Sequence, residues 1–586
     1  MLALRFASAE ATPLTVGLTA TDNDPSRGYT LFGPLQTSGT YLLDNEGQVA
    51  HSWGGPNPSI SNYLLEDGSL FRNLVYGPNP FMTGGAAGRI EHLDWDGNSI
   101  WLFDYVPAHH DISVLPNGNV LMIAWEAKME AEAIAAGRDP ALLGDDELWP
   151  DYIIEVEPTG PTTGDIVWEW HPWDHLIQDF DNTKSNFGVV GDYPELVDVN
   201  FFEQTRPADG EADWMHSNSI DYNPALDQII LSVRHFSEFW VIDHSTTTAE
   251  AASHSGGNSG KGGDLLYRWG NPQAYDAGTS SDQQLFVQHD AEWIEPGLPG
   301  AGNIIVFNNG TARPGGNYSS VDELVPPVDQ FGNYAYTTGQ PYGPASPTWS
   351  YVAPNPPDFY SAFISGANRT SNGNTLITHG AKGKLFEVTP AGATVWSYVN
   401  PKSTTGTIAQ GNTPPNNTNL VFRSYRYEAD YAGLDGRDLT PSGVLEIEDS
   451  DGDGLENIDE LKVYLTNPAV ADTDGDGCED GVEVQTGSGS QLSGGLRDPL
   501  DPNDYFNPTQ DGLNRIDDIL AVVLAYFVDD TDGNPGLPPY SPGYNPDLDR
   551  SNMAASPNPW NTGAPDGLQR VQDILHAVNS YFHDCA

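Results

Sequence analysis

The sequence predicts an all-β chain: a six-bladed β-propeller, then a small calcium-binding loop region and a helical C-terminal segment. Three observations lead there. A strand–turn–strand unit recurs six times, a second hairpin unit recurs between its copies, and convincing amphipathic helices occur only near 126–137 and in the C-terminal third. Gly 62, Pro 46, Trp 15 and Tyr 26 fit many short strands joined by tight turns.

The first unit is an apolar strand, an acidic or glycine turn, and a strand rich in Trp or Tyr. It reads YLLDNEGQVAHSW from Tyr41, IEHLDWDGNSIWLFDY from Ile90 and IIEVEPTGPTTGDIVWEW from Ile153. It returns from Val241, in the interrupted stretch from Val321 to Val352, and as LFEVTPAGATVWSYV from Leu385. The second unit is a hairpin around a glycine turn, as in SNYLLEDGSLFRNL, HHDISVLPNGNVLMIAWE and ISGANRTSNGNTLITHG. Longer-turned versions are HSNSIDYNPALDQIILSVRH and QHDAEWIEPGLPGAGNIIVFNNG. One pair of units supplies about four strands, which is one blade. Closing six blades into a ring leaves few strand edges exposed. The stretches 171–215 and 311–350 read as insertions placed to form the mouth of a site. Trp168, Trp170 and Trp269 read as blade packing, and His171, His175 and His379 as structural.

The tail differs. Asp449, Asp451, Asp453 and Glu460, with Gly454, occupy positions 1, 3, 5, 12 and 6 of a calcium loop. Asp472, Asp474, Asp476 and Glu483, with Gly477, repeat the pattern. These EF-hand-like loops are similar to thrombospondin type 3 repeats. The segments DGLNRIDDILAVVLAYF and DGLQRVQDILHAVNSYF resemble a dockerin pair, with Asp511 and Asp518 as calcium ligands in the first. An insertion after Asp549 disturbs the second copy. Calcium-stiffened packing of two helices is therefore expected there, with a cohesin-like or cell-surface partner as a further expectation. The expected boundaries are a leader or N-terminal extension at 1–27, a propeller at 28–445, calcium loops at 446–505 and the helical segment at 506–586.

Lys and Arg number 24 against 82 Asp and Glu, a formal net charge of −58, which excludes nucleic acid as a partner. Such charge suits a salty or calcium-rich medium. No run reaches the ~18 apolar residues of a membrane span. The N-terminal MLALRFASAEA ends in alanine-rich, cleavage-like residues. Together with the calcium loops, it points to an extracellular or periplasmic location. Pairing of the two cysteines, Cys478 and Cys585, is open, as is homodimerisation.

The chemistry-bearing residues are scattered through the first half: His110 (HHDIS), His216 (MHSNS), Arg234 (LSVRH) and His289 (QHDAE). The three histidines each stand just before an apolar, turn-bearing strand. A repeat fold brings equivalent positions together, so they converge on one cationic site suited to an anionic substrate. Ser365 stands seven residues before Asn372, as His110 does before Asn117, and shares that register. Taken singly, such a histidine caps a turn; the shared register is what argues for a site. A three-histidine zinc site is the rival chemistry, disfavoured by a nearby arginine.

Over residues 28–430 the chain resembles the bacterial aryl-sulfate sulfotransferases. The most specific element is His216-Ser217-Asn218 with Arg234 eighteen residues beyond His216. The resemblance implies a nucleophilic His289, a further active-site histidine at His110 (or its neighbour His109), catalytic Asn218 and a hydroxyl at Ser365 that binds substrate. It implies transfer of a sulfuryl group from an aryl sulfate to a phenol through a sulfohistidine, in ping-pong fashion. Neither a nucleotide donor nor a catalytic cofactor is expected. The chain departs from the family in its acidic tail and in lacking a cysteine pair in the catalytic domain. Other readings are a binding or adhesion propeller with a calcium-stabilised tail, a sulfatase-like hydrolase, and a quinone-dependent dehydrogenase. The last is disfavoured by blade number, by the lack of a Trp-docking repeat and by the missing adjacent cysteines.

Overall fold

The computed structural model describes residues 13–22, 24–81, 83–143, 146–201, 212–475, 477–484, 499–500, 515–524 and 571–579. The chain divides into two compact units. One comprises Val16–Thr407 and Pro414–Leu445; the other includes Ile408–Thr413 and the chain from Glu446 onward.

The first unit is a six-bladed propeller. Blade II is built from Ser59–Leu64, Leu70–Val75, Gly88–Leu93 and Ser99–Asp104, each antiparallel to the next. Blade III uses Ala108–Val114, Val120–Trp125, Asp151–Gly160 and Thr163–Trp170. Blade IV uses Ser217–Asn223, Gln228–Val233, Glu238–Asp243 and Tyr267–Trp269. Blade V uses His289–Trp293, Ile304–Asn308, Ser320–Leu324 and Trp349–Tyr351. Blade VI uses Gly366–Arg369, Thr375–His379, Lys384–Val388 and Thr394–Val399.

Blade I is made from both ends of the unit. Val421–Glu428 is its inner strand and pairs with Gly28–Pro34, followed by Thr40–Leu43 and Val49–Trp53. A second closure lies inside the stretch read as a leader or extension. Gly17–Thr21 pairs with Thr394–Val399 as a fifth, outermost strand of blade VI.

Local sequence explains the hairpins. In blade III, Gly118 N–H closes onto the Leu115 carbonyl at 2.9 Å, and Gly118 has a φ of +87. Only glycine adopts that conformation without strain, so the Asn-Gly pair sets the turn.

An outer-strand tryptophan from each blade locks onto the next. Trp53 Nε1 donates to the Asp94 carbonyl (3.2 Å), Trp101 to Thr163 (2.9 Å) and Trp168 to Thr246 Oγ1 (3.1 Å). Trp269 donates to the Pro344 carbonyl (2.8 Å), Trp349 to Pro390 (2.9 Å) and Trp396 to Asn45 (2.8 Å), which closes the circle. Each indole buries apolar area and satisfies its one donor on the neighbouring blade. The Trp-rich strands are thus blade packing. The chain does carry a docking tryptophan per blade, so that part of the sequence argument against a quinone-dependent dehydrogenase falls away.

One expected mouth insertion lies elsewhere. Tyr334 stacks on Tyr267 (centroids 4.7 Å apart), and Tyr267 Oη donates to the Gly343 carbonyl at 2.7 Å. Residues 325–348 therefore cover the outer strand of blade IV.

The channel is held by one cation. Arg423, on the inner strand of blade I, reaches Asp111 Oδ2 of blade III at 2.8 Å and Asp290 Oδ1 of blade V at 2.9 Å. It also donates to Tyr63 Oη of blade II (3.2 Å) and to the Asn218 carbonyl of blade IV (3.0 Å). Asp290 Oδ2 accepts from Ala367 N–H of blade VI at 3.0 Å, so all six inner strands share one network. Burial works against the charge on Arg423, but Asp111 and Asp290 outweigh it and hold its pKa well above the ordinary range.

In the second unit, helix Ile516–Leu524 packs on helix Val571–Asn579 through Val522 and Ala577, flanked by Ile519 and Ile574. Cys478 is buried and disulfide-bonded; Cys585, the other cysteine of the sequence, lies outside the described residues.

Arg423→Met leaves two buried carboxylates uncompensated. The variant is expected to lose about 3–5 kcal/mol of stability, read as a lower urea midpoint of the propeller.

Candidate active site

The inner strands begin irregularly where they meet the site. Pairing slips between Ser59 and Asn62, between Ser217 and Ser219 and between His289 and Glu292, and opposite Met122–Ala124 in blade III. His110, His216, Asp290, Ile364 and Ser365 have φ values of +48, +52, +56, +50 and +95. Such bulges re-aim side chains, and left-handed backbone at non-glycine residues is characteristic of functional sites.

The register brings the three histidines and Arg234 together. His110 and His216 meet edge to face, with centroids 4.6 Å apart. Phe422 sits between His110 and His289, its centroid 6.1 and 6.5 Å from theirs. Arg234 opens a 3-10 turn, Arg234–Phe236, directly after the second strand of blade IV. Burial first, then His216, His109, His289 and Arg234, push His110 well below the usual imidazole range. Burial and Arg234 lead in doing the same to His289, with His216 and Arg423 adding to it. Both rings are neutral at pH 7, and the shared influences show that the four groups face one another.

Hydrogen bonds fix the His289 tautomer. Asn309 Nδ2 donates to the carbonyls of Ser361 (2.8 Å) and Ile364 (3.0 Å), so its Oδ1 must accept from His289 Nδ1, 2.8 Å away. Nε2 therefore carries the lone pair, and it accepts the Ile364 N–H at 3.1 Å.

His216 Nδ1 donates to Asp213 Oδ2 at 2.5 Å, and Thr83 Oγ1 donates to the same oxygen at 3.0 Å. His235 stacks on His216 with centroids 4.9 Å apart and hydrogen-bonds the Asp213 carbonyl at 3.1 Å. His109 lies behind His110: it stacks on Trp125 at 3.8 Å and bridges Asp151 (3.4 Å) to His110 (2.8 Å). His110, not His109, faces His216. Gly85 packs against the His110 ring, where a Cβ would stand 2.0 Å from Cε1.

Two further predicted residues, Asn218 and Ser365, are held by hydrogen bonds of their own. Asn218 Nδ2 donates one of its two hydrogens to the Gln288 carbonyl at 2.8 Å, on the backbone just before His289. Its buried Oδ1 has no partner and, being an acceptor, does not suit sulfuryl oxygens. That bond ties the Asn218 side chain to the backbone preceding His289. The Ser365 hydroxyl donates to Ser361 Oγ (2.9 Å) and accepts from Gly380 N–H (3.0 Å), within the loop that also carries Ile364.

Sequence reasoning missed Asp213, His235, Asn309 and Arg423. His235 and Asp213 lie next to quoted motifs; Arg423 has no local signal. Among the described residues, His110, His216 and His289 are not grouped closely enough to share a metal ion, whereas Asp213, His216 and His235 are.

In the tail, single oxygens of Asp449, Asp451 and Asp453 lie within 4.8 Å of one another. Both carboxylate oxygens of Asp451 and Oε2 of Glu460 are buried without a partner. Burial, with Asp451 and Asp453 beside it, pushes Glu460 up to about 7. These residues fit a calcium ion. In the second loop Asp472 accepts from Gly475 N–H and Gly477 N–H, both at 2.8 Å. Asp476 and Asp511 lie outside the described residues. Asp518 accepts from Arg515 N–H at 2.7 Å, at the start of its helix.

The model of the arylsulfotransferase (ASST) family matches residues 35–418, a span that contains every residue of the predicted site. The chain belongs to the arylsulfotransferase family. Aryl sulfates and phenols are the substrates this membership implies, and sulfotransfer is the general activity. Similar solved structures include a protein of unknown function from Bacteroides caccae (11% identity, 68% of this chain and 99% of that one, TM-score 0.37). Virginiamycin B lyase from Staphylococcus aureus shares 10% identity over 66% of this chain and 85% of its own, with a TM-score of 0.30. AztD from Citrobacter koseri shares 8% identity over 69% and 99%, with a TM-score of 0.30. No curated protein matches the chain. Among the described residues of this arylsulfotransferase, no helix is long and apolar enough to cross a membrane.

With both buried imidazoles held well below their usual value of 6.5, activity of this arylsulfotransferase is not expected to fall as pH drops through 6.5. The acid limb of a single-turnover pH profile belongs well below that value; an inflection at 6.5 would show an ordinary imidazole at work.

Proposed function

We propose that the protein moves a sulfuryl group from an aryl sulfate to a phenol through a sulfohistidine at His289. The observation that carries this reading is the fixed tautomer: Nδ1–H on Asn309 and a lone pair on Nε2 of a neutral, buried ring. Nε2 attacks sulfur, the S–O bond to the aryl group breaks, and the phenolate takes a proton. The acceptor phenol then loses its proton, its oxygen attacks the same sulfur, and the N–S bond breaks. Arg234 supplies a permanent planar charge for the sulfuryl oxygens. His216, oriented by Asp213, is placed to manage the phenol proton, as a carboxylate-held imidazole does elsewhere. His110 adds a further nitrogen opposite His289.

We also propose that calcium occupies the loop of Asp449, Asp451, Asp453 and Glu460, the loop of Asp472, Asp474, Asp476 and Glu483, and the dockerin-like loop through Asp511 and Asp518. A calcium-loaded tail and the charge of −58 support an extracellular or periplasmic location.

The decisive assay is release of para-nitrophenol from para-nitrophenyl sulfate with and without added phenol. Phenol-stimulated release is expected, with a sulfuryl adduct on His289 by mass spectrometry. His289→Asn is expected to lose about 10³-fold or more while keeping its fold. Release that ignores phenol would favour hydrolysis, and no release from folded protein would favour a binding propeller. Chelation of calcium is expected to lower the melting transition of the tail and leave phenol-stimulated turnover unchanged. Calcium at a hundred times its Kd contributes about 2.7 kcal/mol to the tail.

A further inference from the structure

Three segments meet on the outer rim where blade III adjoins blade IV. The turn Pro172–His175 follows the outer strand of blade III. His254 lies beyond the short helix Thr248–Ala251, and Asp264 lies just before the outer strand of blade IV. His175 Nδ1 and His254 Nδ1 stand 2.8 and 2.7 Å from the same oxygen, Asp264 Oδ1. The side chains of His175, Asp264 and His254 are 0%, 10% and 63% exposed.

The orientation of His175 is built in. Its Nε2 faces the Ala251 carbonyl at 2.8 Å, and a carbonyl only accepts, so Nε2 carries the hydrogen. Trp170 stacks parallel to it, with centroids 6.0 Å apart. Gly263 backs it so closely that a Cβ would lie 2.6 Å from Nε2. In the neutral ring, Nδ1 then presents a lone pair to a carboxylate oxygen, which is also an acceptor. Two acceptors do not bind each other; a cation between them resolves the conflict. A histidine whose far N–H is anchored on a carbonyl is the usual form of a metal-ligating imidazole. Two nitrogens and one carboxylate form a set that suits zinc, unlike the all-oxygen loops of the tail. Bonds of zinc length in a tetrahedral arrangement would widen the N···O separations to about 3.3 Å. His254, exposed on a loop containing Gly256, Gly257, Gly260 and Gly262, has room for that shift. A cavity of about 540 Å³ lined by Trp173, Asp174, Phe187, Tyr193 and His254 adjoins the cluster on the His254 side.

We propose that His175, His254 and Asp264 form a transition-metal site of the zinc class that ties the 171–200 insertion to blade IV. The test uses metal-free full-length protein with calcium in excess, so that the acidic loops are filled, titrated with cobalt chloride alone. The expected result is one saturable equivalent with the visible absorption of four-coordinate cobalt, displaced by zinc chloride. His254→Ala, which removes an exposed side chain and is checked by circular dichroism, is expected to weaken binding at least tenfold. Zinc is expected to slow proteolysis within 171–200 in the wild type and not in this variant. Absence of the absorption in the wild type would overturn the site and make His175 an imidazolium held by Asp264. Absorption unchanged by His254→Ala would overturn it too, placing cobalt at Asp213, His216 and His235. Equal proteolysis with and without zinc would overturn the tie.

Discussion

Everything at the centre of the propeller depends on Arg423. Six strands can converge on a narrow channel only if the polar groups they bring are compensated. Asp111 and Asp290 are buried carboxylates on different blades, and Arg423 lies between them at 2.8 and 2.9 Å. Its fork geometry lets it hold Tyr63 and the Asn218 carbonyl as well. Asp111 and Asp290 directly follow His110 and His289 in sequence. The hub therefore sets the height and direction of both imidazoles through one intervening peptide each.

The same cation shapes the chemistry. Burial makes a positive charge on His289 and His110 costly; Arg234 adds to that cost at both rings and Arg423 at His289. The site thus has fixed charge from guanidinium, with His110 and His289 resting neutral. In the proposed reaction an anionic sulfate ester enters against permanent positive charge and meets an unprotonated His289. Its own charge favours protonation of a neighbouring ring, which supplies the proton that a departing phenolate needs.

Legibility followed the range of the interactions. Five inner hairpins are local; four were readable from glycine turns such as Asn117-Gly118, and that of blade IV from the Asn223-Pro224 turn. The sixth inner pair joins Gly28–Pro34 to Val421–Glu428, and no local pattern announces a pairing between chain ends. The register of the candidate site was readable because it repeats, so the convergence of His110, His216 and His289 could be found from their places in the hairpins. Arg423 could not, since its carboxylate partners lie far away in sequence on other blades. The histidine–aspartate pairs in HHDIS and QHDAE held the one available clue: the same acid following the same imidazole on two blades. Asn218 was readable as a site residue but not as a donor to the Gln288 carbonyl, because side-chain direction at a bulge is not set by the period-two alternation of a regular strand.

The strained backbone around Ile364 has a specific use. A β-branched residue at a φ of +50 is unfavourable, and Ser365 follows at +95. The conformation delivers the Ile364 N–H to His289 Nε2 and its carbonyl to Asn309 Nδ2. One residue thus reads both sides of the tautomer: its carbonyl accepts from the amide that holds Nδ1–H, and its N–H donates to the lone pair. A neutral hydrogen bond of this kind is worth about 1 kcal/mol net, so an incoming sulfur centre displaces it at little cost. In exchange, the ring waits in one orientation and one protonation pattern, which would remove reorganisation from the proposed attack. The strain is localised at the loop of blade VI, and the benefit appears on the inner strand of blade V.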